Sequence, residues 1–483
     1  MDSKVHVKAP KSMALVLMLG AFIGLFGETA LNMALTEIMA QFEIGATTAQ
    51  WLTTGYLLTL AILVPVSALL MKWFTTKQLV IGGLTISLVG ALFAAMSLNF
   101  PMLMLGRVIQ AVGTGILLPV MLSVVMLIFP IHKRGMVMGI MGLVITTAPA
   151  LGPTLSGIII STMSWEWIFW FSAVVYVLIT LYAFTVISNV SEITKPKIDL
   201  ASIVLSTAGF GGLVFALSTL AEQSITAPVV FIPLVIGIIS LIAFGSRQLS
   251  MDQPMVDLRV FKRPMFSLGT LIMFLSILII LSTAILLPLY LKGALLFSAM
   301  AAGLLMLPGN FMNFVLSPVV GGLFDKVGPR KFIITGFVLI VIANFSFLTV
   351  LAADTPAWQI VVSFMILFVG LTMTTMSAQT NAMNQLTRDV YADGSAAMNT
   401  LNQVAGAVGT AVAITVFTIG QNTFMAGNAA GAPPEMIAAG VKYAFYFITG
   451  ISIFGLICAL FVRNSIDPSP AKTEAVEEKV AEA

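Results

Sequence analysis

Cysteine and histidine are almost missing from this chain. Its 483 residues include one cysteine, Cys458, and two histidines, His6 and His132. That excludes a disulfide framework, a cysteine-based metal site, an HExxH zinc motif and haem ligation. Charge is equally scarce, at 9% of residues against about 25% in an ordinary soluble domain. The formal net charge of +3 is too small, and its carriers too scattered, for a nucleic-acid binder. No Walker A sequence is present, so ATP is not the direct energy source for whatever the chain does. With no cluster of histidine, cysteine or paired acids there is no reaction centre, and the chain is not read as an enzyme. What fills the space is apolar: 59% of residues, with a mean hydropathy of +1.05. Such a chain cannot be a water-soluble globule.

A membrane-crossing helix needs about 20 predominantly apolar residues. Runs of that length lie near 13–35, 49–71, 79–98, 102–127, 135–160, 168–189, 200–221, 228–246, 266–290, 298–320, 332–352, 357–380, 395–417 and 440–462, giving about fourteen spans. They lack the two-residue alternation of a membrane β-barrel. The first run is too long for a signal peptide and has no small-residue cleavage site, so it reads as a retained helix. Lysine and arginine placement sets orientation. With the N-terminus inside, twenty of the 23 basic residues fall in inner segments. Only Lys292 and Lys442 fall outside, and Arg107 lies within a span. Both termini are therefore expected in the cytoplasm. The tail after Arg463, with Glu474, Glu477, Glu478 and Glu482, is polar enough to be disordered.

An ionisable residue inside a span is costly and marks a functional site by default. Glu28 in the first span and Arg107 in the fourth qualify. Both are expected about 10 Å deep from the outer side, at 1.5 Å per residue, and can face one cavity. The alternative for each is structural: a carboxylate kept for helix packing, an arginine bracing backbone carbonyls. Asn32 lies one turn beyond Glu28. Gln110 and Thr114 stand at i+3 and i+7 from Arg107, so each helix carries a polar stripe. Tyr56, and Met306, Asn310 and Asn313 in the tenth run, are further candidates for a substrate cavity. Glu222 is a weaker acidic candidate, with a solvated loop as its plainer reading. The stretch Gly142–Gly157, with Ala148, Gly152 and Pro153, places small residues and prolines through the fifth span, a packing and hinge signal. Gly321–Lys331 reads as a tight inner connection carrying Asp325, Lys326, Gly328 and Arg330.

These motifs resemble those of the major facilitator superfamily. Gly321, Leu323, Asp325, Gly328 and Arg330 look like its signature loop. Arg107, Gln110 and Gly113 look like its fourth-helix motif, and Ala148 through Gly157 resembles the antiporter motif of its exporters. Gly27–Leu35 is similar to the first-helix motif of the fourteen-span drug:proton antiporters, with Glu28 where many members have aspartate. Ser164–Trp170 and Pro254–Phe266 also look like stretches of that family. Two departures stand out. Met71 occupies the place of an acid in the first-half counterpart of the signature loop, Ser67–Lys77, and the tenth span lacks the acid some members carry.

The resemblance implies an all-α integral membrane protein of major facilitator fold: two six-helix halves, 13–189 and 265–462, separated by a linker with two extra helices, 190–264, and flanked by tails 1–12 and 463–483. It implies a proton-coupled exporter of hydrophobic or cationic small molecules, working by alternating access. A dedicated exporter of one metabolite, lipid or signalling nucleotide is the alternative, and a non-transporting sensor or membrane enzyme a remote one. Glu28 and Arg107 would couple protons, and Asp325, Lys326, Gly328 and Arg330 would gate. No cofactor or metal is expected beyond the coupling proton. The bacterial plasma membrane is the expected location, and the monomer the expected working unit.

Overall fold

The computed structural model describes residues 9–191, 193–195, 199–220, 223, 225–252, 254–297, 299–387, 390–427 and 432–463. Glu222, most of the C-terminal tail and the side chains of Asn32, His132, Pro153, Asp325 and Lys326 lie outside the described residues. Among those described, all regular structure is helical: α1 (Pro10–Ala30), α2 (Leu35–Phe42), α3 (Ala46–Trp73), α4 (Thr76–Ala95), α5 (Phe100–Ile128), α6 (Ile131–Thr162), α7 (Trp167–Val186), α8 (Leu200–Leu220), α9 (Pro228–Ser250), α10 (Pro264–Gly293), α11 (Ala299–Val327), α12 (Pro329–Val350), α13 (Ala357–Met383), α14 (Tyr391–Gly427) and α15 (Pro433–Leu460), with short 3-10 turns at Leu31–Met33 and Leu258–Lys262. In hydrocarbon every backbone group must be satisfied within the chain, which is why apolar runs of this length become helices. Thirteen of these helices are long and apolar enough to cross a membrane. The 32-residue α6 is longer than most of them, though richer in glycine and threonine. The chain is a multi-pass membrane protein.

Helix starts are marked as the local chemistry requires. Thr75 and Gln78 form a reciprocal capping box on α4. Asn99 accepts from Met102 N at 2.9 Å on α5, and proline opens α1, α5, α9, α10, α12 and α15. Gly328, at φ 85°, makes the turn between α11 and α12, a conformation that disfavours any side chain. Asp325 and Lys326 thus belong to the last turn of α11 rather than to a loop. The first apolar run also divides earlier than its composition suggests: α1 stops at Ala30, two residues after Glu28, and passes through the 3-10 turn into α2.

Two principal cores result. One gathers Met13, Leu17, Leu84, Leu117, Met121 and Phe169 from α1, α4, α5 and α7. The other gathers Ile279, Phe337, Phe347, Phe364 and Phe445 from α10, α12, α13 and α15. Two seams join the sides. At one, α6 meets α11 so closely that a Cβ on Gly139 would stand 2.6 Å from Ser317 O, the small-residue approach by which helices associate in lipid. At the other, α3 meets α14 and is covered by α8, which pairs with α9. That pair is itself joined through Gly212 and Gly237, and it reaches α3 by Trp51 against Phe215, ring centroids 5.5 Å apart.

Candidate functional site: a buried cation beside a membrane carboxylate

The ends of the bundle differ in charge. The end where α1 begins and α3 finishes carries most of the basic residues and is called the basic end below. Arg107 lies seven residues into α5, which starts at the opposite end, and its side chain is fully buried, at 0% exposure. An isolated arginine in such a place is expensive, so its neighbours explain how it is tolerated. Its guanidinium sits over the Tyr56 ring, 4.2 Å from the centroid, a cation–π contact that strengthens when water is excluded. Nε donates to Leu52 O at 3.4 Å and Nη1 to Gln110 Oε1 at 3.2 Å. Nη2 has no hydrogen-bond partner among the described residues.

Tyr56, at 1% exposure, is fixed in turn. Its Oη lies 2.9 Å from Gly24 O and 2.8 Å from Thr114 Oγ1, and Thr114 donates to Gln110 O at 3.1 Å. The sequence-predicted residues Tyr56, Arg107, Gln110 and Thr114 therefore form one network between α1, α3 and α5. Tyr176 on α7, also buried, stands beside Ser87 and Thr114 and joins the same cluster. Sequence reasoning missed it, because nothing in its apolar helix sets it apart.

Glu28 belongs to this neighbourhood but is not locked into it. Arg107 Nη1 stands 3.7 Å from where a Cβ on Gly27 would be, so the guanidinium lies against α1 one residue before the acid. The two charges interact, yet no ion pair within 4.0 Å joins them. Glu28 is half-buried, and Arg107 is wholly enclosed. A carboxylate held by a close guanidinium would stay ionised. Glu28 stands near that cation without such a contact.

The antiporter-like stretch on α6 links this site to the far side of the molecule. A Cβ on Gly152 would collide with Thr29 Oγ1, and Thr29 donates to Pro149 O at 2.9 Å, directly after Glu28. Ala148 is buried, and Gly157 faces Met33. Ten residues before Gly152, Gly142 faces Ser317 Oγ at 3.5 Å across the α6–α11 seam. The remaining cavity candidates lie on the other side. Asn313 accepts from Thr372 Oγ1 at 2.7 Å, and the two line a small void with Ile280, Phe368, Leu371 and Thr375. Met306 and Asn310, two turns and one turn away, are half-buried. Arg330 Nη2 donates to Leu460 O at 3.4 Å, which ties α12 to α15.

Among the described residues, polar contacts in the basic-end half tie α3, α5 and α6 to the second group of helices. Lys72 Nζ pairs with Asp393 Oδ1 at 2.8 Å. Arg134 Nη1 donates to Asn384 Oδ1 at 3.3 Å while its guanidinium covers the Tyr391 ring. Ser395 donates to Pro119 O and Ser317 to Gly139 O, each at 2.7 Å. Asp393 also accepts from Asp257 N at 3.0 Å, and Lys72 O accepts from Thr194 N and Lys195 N, so the segments flanking α8–α9 share the closure. This set was missed in the sequence. Its one signal was Lys72 beside Met71, a cation whose usual acidic neighbour is absent.

Comparison with known proteins gives the family and the fold. The model of the Major Facilitator Superfamily matches residues 17–410. The chain is 51% identical to the lincomycin resistance protein LmrB of Listeria innocua over 93% of this chain and 96% of that one. It is 49% identical to LmrB of Bacillus subtilis, over 93% and 95%. The solved proton:xylose symporter XylE superimposes with a TM-score of 0.66 over 95% of this chain and 97% of that one, at 12% identity, a likeness of fold alone.

Proposed function

From the premise that the chain belongs to the major facilitator superfamily and is a transporter rather than an enzyme, we propose that it is a proton-coupled antiporter exporting hydrophobic or cationic small molecules. The observation that carries this reading is Glu28, a half-buried carboxylate in a spanning helix, close to the enclosed cation of Arg107 but not paired with it. The high identity to lincomycin resistance proteins supports efflux of drug-like molecules. Glu28 takes up and releases the coupling proton, and Arg107, held by Tyr56 and Gln110, biases that equilibrium. A proton moving inward across 100 mV supplies about 2.3 kcal/mol, enough for more than about tenfold accumulation.

In this reading the chain lies in a bacterial plasma membrane as a monomer, both termini in the cytoplasm. The helices of 13–189 and of 265–462 rock as two halves, with 190–264 between them. The basic end is cytoplasmic, so the contacts of Lys72, Arg134, Ser317 and Ser395 describe a state closed to the cytoplasm, with Asp325, Lys326, Gly328 and Arg330 shaping the turn that moves when it opens. Met306, Asn310, Asn313 and the neutral polar groups of α13 line the substrate path, and Asn32, by its place in the sequence, is a further candidate for it. The test is efflux by the purified chain in proteoliposomes under an imposed pH gradient with a panel of unrelated dyes. Gradient-dependent export with mutual competition supports the reading. Export of a single compound without competition supports a dedicated exporter instead, and absence of gradient dependence removes proton coupling.

A further inference from the structure

An apolar cavity of about 90 Å³ lies where the α8–α9 pair meets both halves of the molecule. Pro65 of α3, Phe244 of α9, Val256 and Ala397 of α14 are buried and form its floor. Phe210, Leu258, Phe261 and Leu401 are half-buried and form its rim. Its one polar lining group, Thr400, spends its hydroxyl on Ala396 O at 2.7 Å within its own helix. A cavity with no free polar group on its wall holds apolar matter rather than ordered water. Counted along the helices at 1.5 Å per residue, Pro65, Phe210, Phe244 and Thr400 lie about 9–15 Å from the basic end, within the depth of one leaflet, about half of a 30 Å hydrocarbon core.

The mouth is cationic. Leu258 and Phe261 belong to the short turn Leu258–Lys262, whose Arg259 and Lys262 are exposed, as is Arg263 immediately after it. None of the three makes an ion pair among the described residues. Arg259 Nη2 and Arg263 Nη1 reach only carbonyls, of Met251 at 2.9 Å and Gln385 at 2.6 Å. The nearby cations Lys72 and Arg247, by contrast, are neutralised by Asp393 and Asp199. One turn thus presents two apolar side chains to a dry cavity at acyl-chain depth and, beside them, exposed positive charge that no acid among the described residues pairs.

We propose that this cavity is a binding site for an anionic phospholipid of the leaflet at the basic end, a few methylenes of one acyl chain seated against Phe210, Phe244 and Phe261 and its phosphate held by Arg259 and Lys262. The charge complementarity selects the lipid: a neutral apolar solute would gain nothing from the cations, and a soluble anion nothing from the cavity. Because α3, α14 and the accessory pair each supply a wall, the bound chain packs against both halves at once.

The test is lipid binding to the purified full-length protein in a nonionic detergent, followed by native mass spectrometry. The probes are phosphatidylglycerol, phosphatidylcholine of the same chains and dihexanoyl-phosphatidylglycerol. Each cation near an anionic membrane surface contributes about 1 kcal/mol, so a preference of roughly tenfold or more for phosphatidylglycerol over phosphatidylcholine is expected. The exposed double variant Arg259→Gln/Lys262→Gln should erase that preference without changing the melting temperature. Ala397→Leu, which fills the floor, should weaken the long-chain lipid but not the dihexanoyl one. Equal binding of the two headgroups, or unchanged preference in the double variant, would overturn the proposal. So would displacement of phosphatidylglycerol by a transported dye, which would make the cavity part of the substrate path. If Ala397→Leu does not fold, the surface double variant decides alone.

Discussion

Helices α5 and α13 are each the fourth long helix of their group, and each is clasped by its predecessor in the same way. A Cβ on Gly106 would lie 2.9 Å from Gly90 O of α4, and one on Gly370 would lie 2.6 Å from Gly336 O of α12. The scaffold is repeated, yet the chemistry is not. On α5 the polar positions hold a cation, Arg107, with Gln110 and Thr114. On α13 they hold Thr372, Gln379 and Asn381, all neutral, and Thr372 reaches Asn313 of α11. Small residues set how closely two helices approach, whereas one ionisable side chain decides whether the space between them handles charge. In the proposed reading, proton coupling belongs to the first group and contact with substrate to the second.

The most severe break of this contrast is Arg107→Ala. It opens a cavity, strips Tyr56 of its cation and removes the positive charge beside Glu28. Loss of a buried side chain of this size and of the ring contact costs about 3 kcal/mol, read as a lower melting temperature. The pH midpoint of efflux should also move upward, because ionised Glu28 loses a favourable neighbour. Arg107→Lys keeps the charge but not the planar fork that serves Leu52 O and Gln110, and should fall between the two. A lowered melting temperature with an unchanged pH midpoint would make Arg107 a brace only.

Asp393→Asn should come next. It leaves Lys72 facing a neutral amide across the seam, and the cost lies between the limits for exposed and buried pairs, about 1–3 kcal/mol. In the proposed cycle the pair forms in one state, so transport should drop while equilibrium dye binding survives. A cysteine placed at Ser317 in a Cys458→Ala background should be labelled faster from the basic end. Unchanged labelling would show that the pair does not hold that end closed.

On the neutral side, Thr372→Val removes the hydrogen bond to Asn313, worth about 1 kcal/mol. It should shift the apparent KM for some dyes by a few fold with the pH midpoint of efflux unchanged. A displaced midpoint would erase the distinction between the halves.

The smallest effect is expected at the periphery. Asp199 accepts from Arg247 Nε and Nη2 and from Ser202, which hold its carboxyl well below the usual carboxylate range. A depressed value in the folded state means that this stabilisation is complete above the ordinary carboxylate range and is lost only as the pH falls below it. Melting of Asp199→Asn should therefore differ little from the parent, by less than about 1 kcal/mol for an exposed pair, and the difference should be flat between pH 6 and 8. A steep slope there would contradict it.

The spanning helices were legible because hydropathy over 20 residues is a local property, and so was the stripe of Arg107, Gln110 and Thr114, which share one helix. Helix ends were less so. The run expected over 395–417 proves to be α14, Tyr391–Gly427, because its polar first turn, with Asp393, is buried against α3 and α5. The stacking of Tyr56 on Arg107 joins positions 51 residues apart, and Lys72 meets Asp393 across 321. No periodicity in one chain announces such pairs, since only the packing of separate helices brings them together.

The central claim is that Glu28 carries the coupling proton, and the most direct measurement compares two modes of transport in Glu28→Gln proteoliposomes. Glutamine keeps the shape and cannot release a proton, so dye-for-dye counterflow at equal pH should persist while accumulation driven by a pH gradient disappears. Gradient-driven accumulation at the parent rate, with counterflow intact, would show that the proton is carried elsewhere.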